Sequence, residues 1–277
     1  MSTLAVTGST GNVGGRVARL LSAAGIPQRL VVRDPSRAPA IDGATVAQAG
    51  YGDPAAARRA LDGVDTLFMV SASEAVDRLD QHRAFVDAAV AAGVGRIVYL
   101  SFYGAAPDAT FTLARDHWAT EEHIRATGLP YTFLRDNMYA DFMPYLVGGD
   151  GVIRGPGGDG RVAAVAQDDI AEVAVTVLGN SGDHDGATYD LTGPQALTLH
   201  EIAATLGPEV RYHAETVEEA YASRARYKAP PWQVDAWVST YTAIAAGELA
   251  GVTDAVERLT GHPPLTLAEV LRRRSGG

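Results

Sequence analysis

The sequence predicts an α/β protein, a doubly wound parallel sheet with a smaller C-terminal lobe. Three observations lead there. Short apolar runs alternate with helix-period runs through the first half of the chain, the pattern of parallel strands joined by crossover helices. The first of these strands runs straight into spaced glycines and then into an amphipathic stretch. The alternation stops beyond Arg135 and gives way to glycine-dense turns followed by helices.

Taken in order, Leu4-Ala5-Val6 reads as a buried strand. Behind Gly8, Gly11 and Gly14, the residues Val13, Val17, Leu20 and Leu21 fall at helical spacing, and Ala24-Gly25 stops that helix. Gln28 to Arg33 is a second strand and Ala44 to Ala49 a third. Gly50-Tyr-Gly-Asp53 then leads to Pro54 in the first turn of a helix, with Asp53 as its N-cap. Asp65 to Val70 is the fourth strand, with Ser71-Ala-Ser73 at its carboxyl end. A helix from Val76 to Ala92 is expected to turn Leu79, Val86, Ala89 and Val90 inward, with His82 structural, and to stop at Gly93. Arg96 to Ser101 is the fifth strand, Thr112 to Thr127 a helix, and Pro130 to Arg135 the sixth strand. Further on, Val152-Ile153 and Val162 to Val165 are short strands around dense turns. Asp168 to Leu178 is a helix with an acidic start, and Ala187 to Leu191 a strand. Thr198 opens another helix. The rest reads as helices broken at Pro230-Pro231, and Arg272 to Arg274 is a charge cluster closing the last helix. The expected division is a Rossmann-type core over 1–135, with 161–191 returning to it, and a second, substrate-binding lobe formed by 136–160 and 192–277.

Composition narrows the function. Of the 277 residues 47% are hydrophobic and 20% charged, as in ordinary globular enzymes. The formal charge of −10 argues against nucleic acid as a partner, since that binding is driven by neutralising phosphates. The chain has no cysteine, so disulfides, thiol nucleophiles and thiolate-held metals are excluded, and no metal site is read. No apolar run reaches the roughly 18 residues of a membrane span. The N-terminus enters a strand without a leader pattern, so a cytoplasmic protein with no membrane contact is expected. Monomer and homodimer both stay open.

The glycines define a nucleotide-site hypothesis. Gly8 permits a tight turn, Gly11 lets backbone approach a pyrophosphate, and Gly14 lets helix and strand pack closely. Thr10, Asn12 and Val13 complete the turn, and the uncommitted N–H groups of the helix start would hold the phosphate charge. The end of the second strand, where such folds meet the adenosine ribose, carries Arg33, then Asp34 and Arg37. An arginine pair suits a 2′-phosphate, so NADP(H) is favoured over NAD(H). The alternative leaves Arg33 as a solvated charge and gives the ribose to Asp34. Asp53 and Ser71 complete the expected cofactor contacts.

Six segments occur in a recognisable order: Thr7-Gly-Ser-Thr-Gly-Asn-Val-Gly14, Val31-Val-Arg-Asp34, Gly50-Tyr-Gly-Asp53, Gly93-Val-Gly-Arg-Ile-Val-Tyr-Leu-Ser101, Gly128-Leu-Pro-Tyr-Thr-Phe-Leu-Arg135 and Gly261-His-Pro-Pro-Leu-Thr-Leu-Ala-Glu269. Together they resemble the NmrA-like group of atypical short-chain dehydrogenases/reductases, most closely its bacterial type 2 NAD(P)H:quinone oxidoreductases. The resemblance spans nearly the whole chain. It implies NADP(H) binding and a small C-terminal substrate lobe. Members include quinone reductases, redox-sensing regulators that bind the cofactor without turnover, and tailoring enzymes for aromatic polyketides.

The usual catalytic pair of short-chain dehydrogenases, a tyrosine with a lysine four residues later, is absent. The only lysine is Lys228, and Arg224 stands four before it. Aligned on Gly128, the lysine place holds His117, with Glu121 four residues on and on the same helix face. Glu121 would orient and charge the imidazole; the alternative is a helix-surface ion pair. Ser101, at the end of the fifth strand, is a second catalytic candidate, and Tyr103 and Asn137 start loops expected to overhang the nicotinamide. A quinone or related aromatic polycyclic carbonyl fits this reduced set, because its hydroquinone anion is a weaker base than an alkoxide and needs less acid catalysis. Trp118, Tyr139, Phe142, Tyr145, Trp232 and Trp237 would either stack on such a ring or fill the core. Three functions remain open: an NADPH-dependent reductase of quinones, a non-catalytic NADP(H) sensor, and an oxygenase or reductase tailoring a quinoid polyketide.

Overall fold

The computed structural model describes residues 3–275. The first half alternates as the periodicity predicts: β1 (Leu4–Thr7), α1 (Asn12–Ala23), β2 (Gln28–Val32), β3 (Ala44–Gln48), α2 (Pro54–Ala60), β4 (Thr66–Val70), α3 (Arg78–Ala91), β5 (Arg96–Phe102), α4 (Thr112–Ala126) and β6 (Tyr131–Asp136). There follow β7 (Val152–Gly155), β8 (Arg161–Val162), α5 (Gln167–Gly179), β9 (Ala187–Leu191), β10 (Leu197–Thr198), α6 (Leu199–Leu206), β11 (Arg211–Ala214), α7 (Val217–Arg224), α8 (Pro231–Ala245), α9 (Ala255–Thr260) and α10 (Leu267–Ser275). Seven strands form one sheet in the order β3-β2-β1-β4-β5-β6-β9. The pairings of β1 with β2 and β4, of β2 with β3 and of β4 with β5 are parallel. Strand order reverses between β1 and β4, and a doubly wound sheet opens its ligand crevice at the carboxyl ends on either side of such a point. The turns after β1 and after β4 are therefore its two lips.

The chain forms two compact units. One comprises residues up to Ser101 with Asp116–Arg135 and Ile170–Tyr189; the other comprises Phe102–Arg115, Asp136–Asp169 and the chain from Asp190. The first has its core around Leu67, Met69, Phe85, Ile97, Tyr99 and Phe133. Near-continuous burial along β1, β4 and β5 is what a parallel sheet covered on both faces requires. The second has its own core around Ile153, Leu199, Ile202, Tyr241, Ile244 and Leu267. Each small parallel or antiparallel pair there, β11 with β7 and β10 with β8, supplies one edge of that core.

Several local expectations need correction. The strand expected over 162–165 is only Arg161–Val162, with Val165 in an isolated bridge to Tyr139. β10 and β11 lie where only helix was expected; β11 pairs with β7, sixty residues earlier in rough terms, and no local pattern reports such a partner. Val90 is exposed and does not face the core. The buried face of α3 runs through Arg78, His82, Phe85, Val86 and Ala89, so two polar residues hold places that an apolar pattern would not mark. Pro231 starts α8 at its first position, as a proline break should. Arg272, Arg273 and Arg274 do close the last turn of α10.

Candidate cofactor and active site

The turn after β1 is built by steric necessity. Gly8 has φ +67°, and a Cβ there would stand 2.8 Å from Val70 Cβ. The Gly11 N–H donates to the Gly8 carbonyl at 2.8 Å, closing the turn. A Cβ on Gly14 would lie 2.4 Å from the Gly8 carbonyl oxygen, so α1 could not sit this close to β1 with any other residue. A Cβ on Gly11 would meet only that same oxygen, at 3.3 Å. Gly11 is the N-cap of α1, no side chain caps the helix, and its first turn holds no acidic residue. Ser9 is buried, yet its hydroxyl has no hydrogen-bond partner among the described residues. Thr10, Gly11 and Asn12 are exposed, while Val13 and Gly14 are buried and can offer only backbone. An uncapped helix start, an unmatched hydroxyl and an open glycine face fit a phosphate group.

The two lips are joined at their base. The Val70 N–H donates to Thr7 Oγ1 at 2.8 Å, and the Tyr51 hydroxyl donates to the Val70 carbonyl while lying 2.6 Å from Thr7 Oγ1. Burial pushes the Tyr51 phenol well up, so it stays protonated and donating. Arg33 is exposed at the end of β2, and Arg37 is exposed four residues on. Asp34 Oδ1 accepts from the Ser36 N–H at 3.0 Å and from the Ser36 hydroxyl at 2.7 Å, which caps the turn Pro35–Arg37 and lowers the carboxyl pKa. Asp53 caps α2 by accepting from the Ala56 N–H at 2.9 Å. Ser71 is half-buried at the exit of β4.

His117 and Ser101 are brought near one another's helix and strand, but with partners that spacing did not suggest. Ser101 is fully buried and donates to Glu121 Oε1 at 2.6 Å. Glu121 is fully buried too, and Arg135 donates to it twice, at 2.8 and 2.6 Å. Glu121 is thus taken by strands β5 and β6, and the expected pairing with His117 is not formed. His117 instead has Arg78 Nη2 at 2.8 Å from Nε2 and the Tyr99 hydroxyl at 2.9 Å from Nδ1. A guanidinium can only donate, so His117 accepts at Nε2 and carries its proton on Nδ1. Burial, with Arg78 beside it, holds its pKa well below the ordinary value. The imidazole is neutral, which corrects the expectation of a charged one.

In the second unit, the Tyr103 N–H donates to the Asp136 carbonyl at 2.8 Å, and a Cβ at Gly251 would stand 2.1 Å from the Tyr103 hydroxyl. Burial and the charge of Asp190 raise the Tyr103 pKa. Asn137 is buried; its amide donates to the Leu249 carbonyl at 3.0 Å and its oxygen accepts from the Met138 N–H at 2.8 Å. It anchors the segment at Leu249. Of the six aromatic candidates, Phe142 and Tyr145 are exposed. Sequence reasoning missed Tyr51, Arg78, Thr120 and Asp136. Asp136 is buried, with a carboxyl pushed well above its usual range by desolvation. A polar residue at a strand end or on a buried helix face gives no periodic signal. Among the described residues no group of three or more acidic or histidine side chains is arranged for a metal, and no helix is long and apolar enough to cross a membrane.

A doubly wound sheet with this turn defines a nucleotide-binding oxidoreductase-type core, and the comparisons agree. Residues 8–181 match the NAD(P)H-binding family, and the chain belongs to it. Quinone oxidoreductase 2 of Escherichia coli is 35% identical over 96% of both chains, and NAD(P)H azoreductase of Xenophilus azovorans is 34% identical over 95% of both. The crystal structure of the E. coli NADPH-dependent quinone oxidoreductase with NADPH superposes with TM-score 0.89 at 33% identity, covering 98% of this chain and 99% of that one. These matches place the chain in the NAD(P)H-binding family, beside a quinone oxidoreductase and an azoreductase.

Proposed function

We propose that this protein is an NADPH-dependent oxidoreductase that passes hydride to a quinone or a related aromatic polycyclic carbonyl. One observation carries the reading: the turn after β1 keeps an uncapped helix start and the unmatched Ser9 hydroxyl beside an open glycine face. Relatives that are a quinone oxidoreductase and an azoreductase support the acceptor class. Gly8, Thr10, Gly11, Asn12, Val13 and Gly14 would cradle the pyrophosphate, with Asp53 and Ser71 beside it. NADP(H) over NAD(H) rests on the exposed Arg33 and Arg37, with Asp34 Oδ1 already accepting twice from Ser36. When bound, the cofactor supplies the hydride.

The chain's own groups position rather than protonate. Ser101 and Glu121 lock β5, α4 and β6 together, and neutral His117 holds Arg78. Neither is set up as a general acid, so the acceptor must be one whose reduced form is a weak base, as a hydroquinone anion is. Tyr103, its phenol protonated well beyond neutral pH, is the group assigned to hydrogen-bond the acceptor oxygen, and Asn137 fixes the segment against which it packs. The second unit is assigned to substrate binding.

The commitment of Ser101 and His117 to internal partners also favours a second reading, a cofactor sensor without turnover. Steady-state NADPH oxidation with and without a simple quinone separates the two. Quinone-dependent turnover is expected; tight NADPH binding with none would overturn the reductase in favour of the sensor. Oxygen uptake coupled to NADPH consumption would mark the polyketide-tailoring variant of the same chemistry.

A further inference from the structure

The carboxyl end of β4 is followed by a loop, residues 71–77, whose second residue is held at both of its backbone groups by one helix. The Ala72 N–H donates to His82 Nε2 at 2.8 Å, and Arg78 Nε donates to the Ala72 carbonyl at 3.1 Å. Arg78 and His82 stand one turn apart on α3, on the face that packs inward. Each is backed from α4. Arg78 reaches Asp116 Oδ2 at 3.3 Å and His117 Nε2 at 2.8 Å. His82 Nδ1 lies 2.8 Å from Thr120 Oγ1, and the Thr120 hydroxyl donates to the Asp116 carbonyl at 2.7 Å. That last bond uses the only proton of Thr120, so its oxygen accepts from His82 Nδ1–H. The tautomer is thereby fixed: His82 carries its proton on Nδ1 and presents the Nε2 lone pair to Ala72.

This arrangement is a poor way to stabilise two helices. Arg78, His82, His117 and Thr120 are all buried, and a polar seam of this kind is weaker than an apolar one of the same volume. Arg78 also opens α3, where the helix dipole disfavours a cation. What the seam does accomplish is to fix Ala72, and with it Ser71 and Ser73, on the lip of the crevice opposite the glycine turn. We infer that Arg78 and His82 are positioning residues: they set the loop after β4 in the conformation that receives the nicotinamide half of the cofactor, while the glycine turn and Arg33 receive the adenosine half. The inference rests on the proposed function.

The test separates the two halves. NADPH and 2′,5′-ADP, which lacks the nicotinamide half, are titrated against wild type, His82→Leu and His82→Gln by fluorescence or calorimetry, with no turnover involved. His82→Leu is expected to weaken NADPH by about tenfold, the scale of re-ordering a short loop, and to leave 2′,5′-ADP unchanged. His82→Gln, whose amide oxygen can accept from Ala72, is expected to recover most of the NADPH affinity. Unchanged NADPH binding in His82→Leu overturns the clamp. So does equal loss of both nucleotides in a variant that melts like wild type, since the effect would then not be confined to the nicotinamide half. A wild type that binds neither nucleotide overturns the proposed function and this inference with it, and is recognised without any variant.

Discussion

Two polar regions of the first unit sit within a few residues of the same crevice and treat their hydrogen bonds in opposite ways. The turn after β1 leaves groups unmatched: the start of α1 has no side-chain cap and the Ser9 hydroxyl has no partner among the described residues. The seam between α3 and α4 matches them, from Ala72 through His82 and Thr120 to Asp116, and from Arg78 to His117 and Tyr99. Unmatched buried groups cost free energy unless something completes them. Matched ones rigidify what they touch. The first region is therefore arranged to take a ligand, the second to hold a shape, and substitutions should sort accordingly.

The largest effect is expected at Gly14, where shape and binding coincide. The obstacle to Gly14→Ala is backbone, the Gly8 carbonyl 2.4 Å from the new Cβ, so α1 must shift away from β1. A loss of about 3 kcal/mol in stability is expected from such overpacking, together with at least a tenfold loss in NADPH affinity because the helix start moves. Thermal unfolding and a nucleotide titration read both. A variant with wild-type melting and affinity would show that the turn is not the close-packed cradle described.

Acid stability probes the seam alone. Burial and Arg78 lower the His82 pKa to about 3, and His117 is lowered in the same direction. A histidine that resists protonation when folded contributes its full stability above the unfolded pKa near 6.5. That contribution is lost as pH falls from there toward the folded value. His82 by itself should cost about 2 kcal/mol between pH 7.5 and 5. Asp136, whose carboxyl is raised, works in the opposite sense and gains stability as pH falls. The clean measurement is therefore a difference: urea unfolding of wild type and His82→Gln at both pH values. The variant should lose less stability on acidification. Equal losses would mean that His82 is charged in the folded protein.

How much of this was legible beforehand follows from the same contrast. The parallel core, the glycine turn and the caps at Asp53 and Thr198 were readable because each depends on residues close in sequence. The partners of Glu121 were not: helix spacing pointed to His117, whereas Ser101 lies 20 residues before it and Arg135 14 after, on two neighbouring strands. Arg78 was hidden for a different reason: a buried polar residue on an inward helix face breaks the apolar pattern, whereas His82 on the same face reads as structural. β11 was missed because its partner, β7, is remote in sequence.

Cofactor choice tests the exposed rim of the first region. Arg33→Ala is expected to weaken NADPH by roughly thirtyfold, about 2 kcal/mol for one charge-assisted contact to a 2′-phosphate, and to leave NADH nearly unchanged. Stability should not move, because Arg33 is exposed at the end of β2. Equal loss for the two nucleotides would return the ribose to Asp34.

The smallest effect is the most discriminating. Ser9→Ala removes a hydroxyl that is buried and has no partner among the described residues, so the ligand-free protein loses no hydrogen bond. Its stability is expected to stay the same or to rise by up to about 1 kcal/mol, since an unsatisfied buried group is deleted. NADPH affinity should nevertheless fall by roughly fivefold, the worth of one hydrogen bond completed only by the ligand. Thr120→Val, in the seam, should do the reverse to stability: it deletes a hydroxyl with two partners and destabilises by about 1–3 kcal/mol. If Ser9→Ala instead destabilises the free protein and leaves NADPH binding intact, the Ser9 hydroxyl has a partner within the fold. The contrast between an open turn and a closed seam would then have to be redrawn.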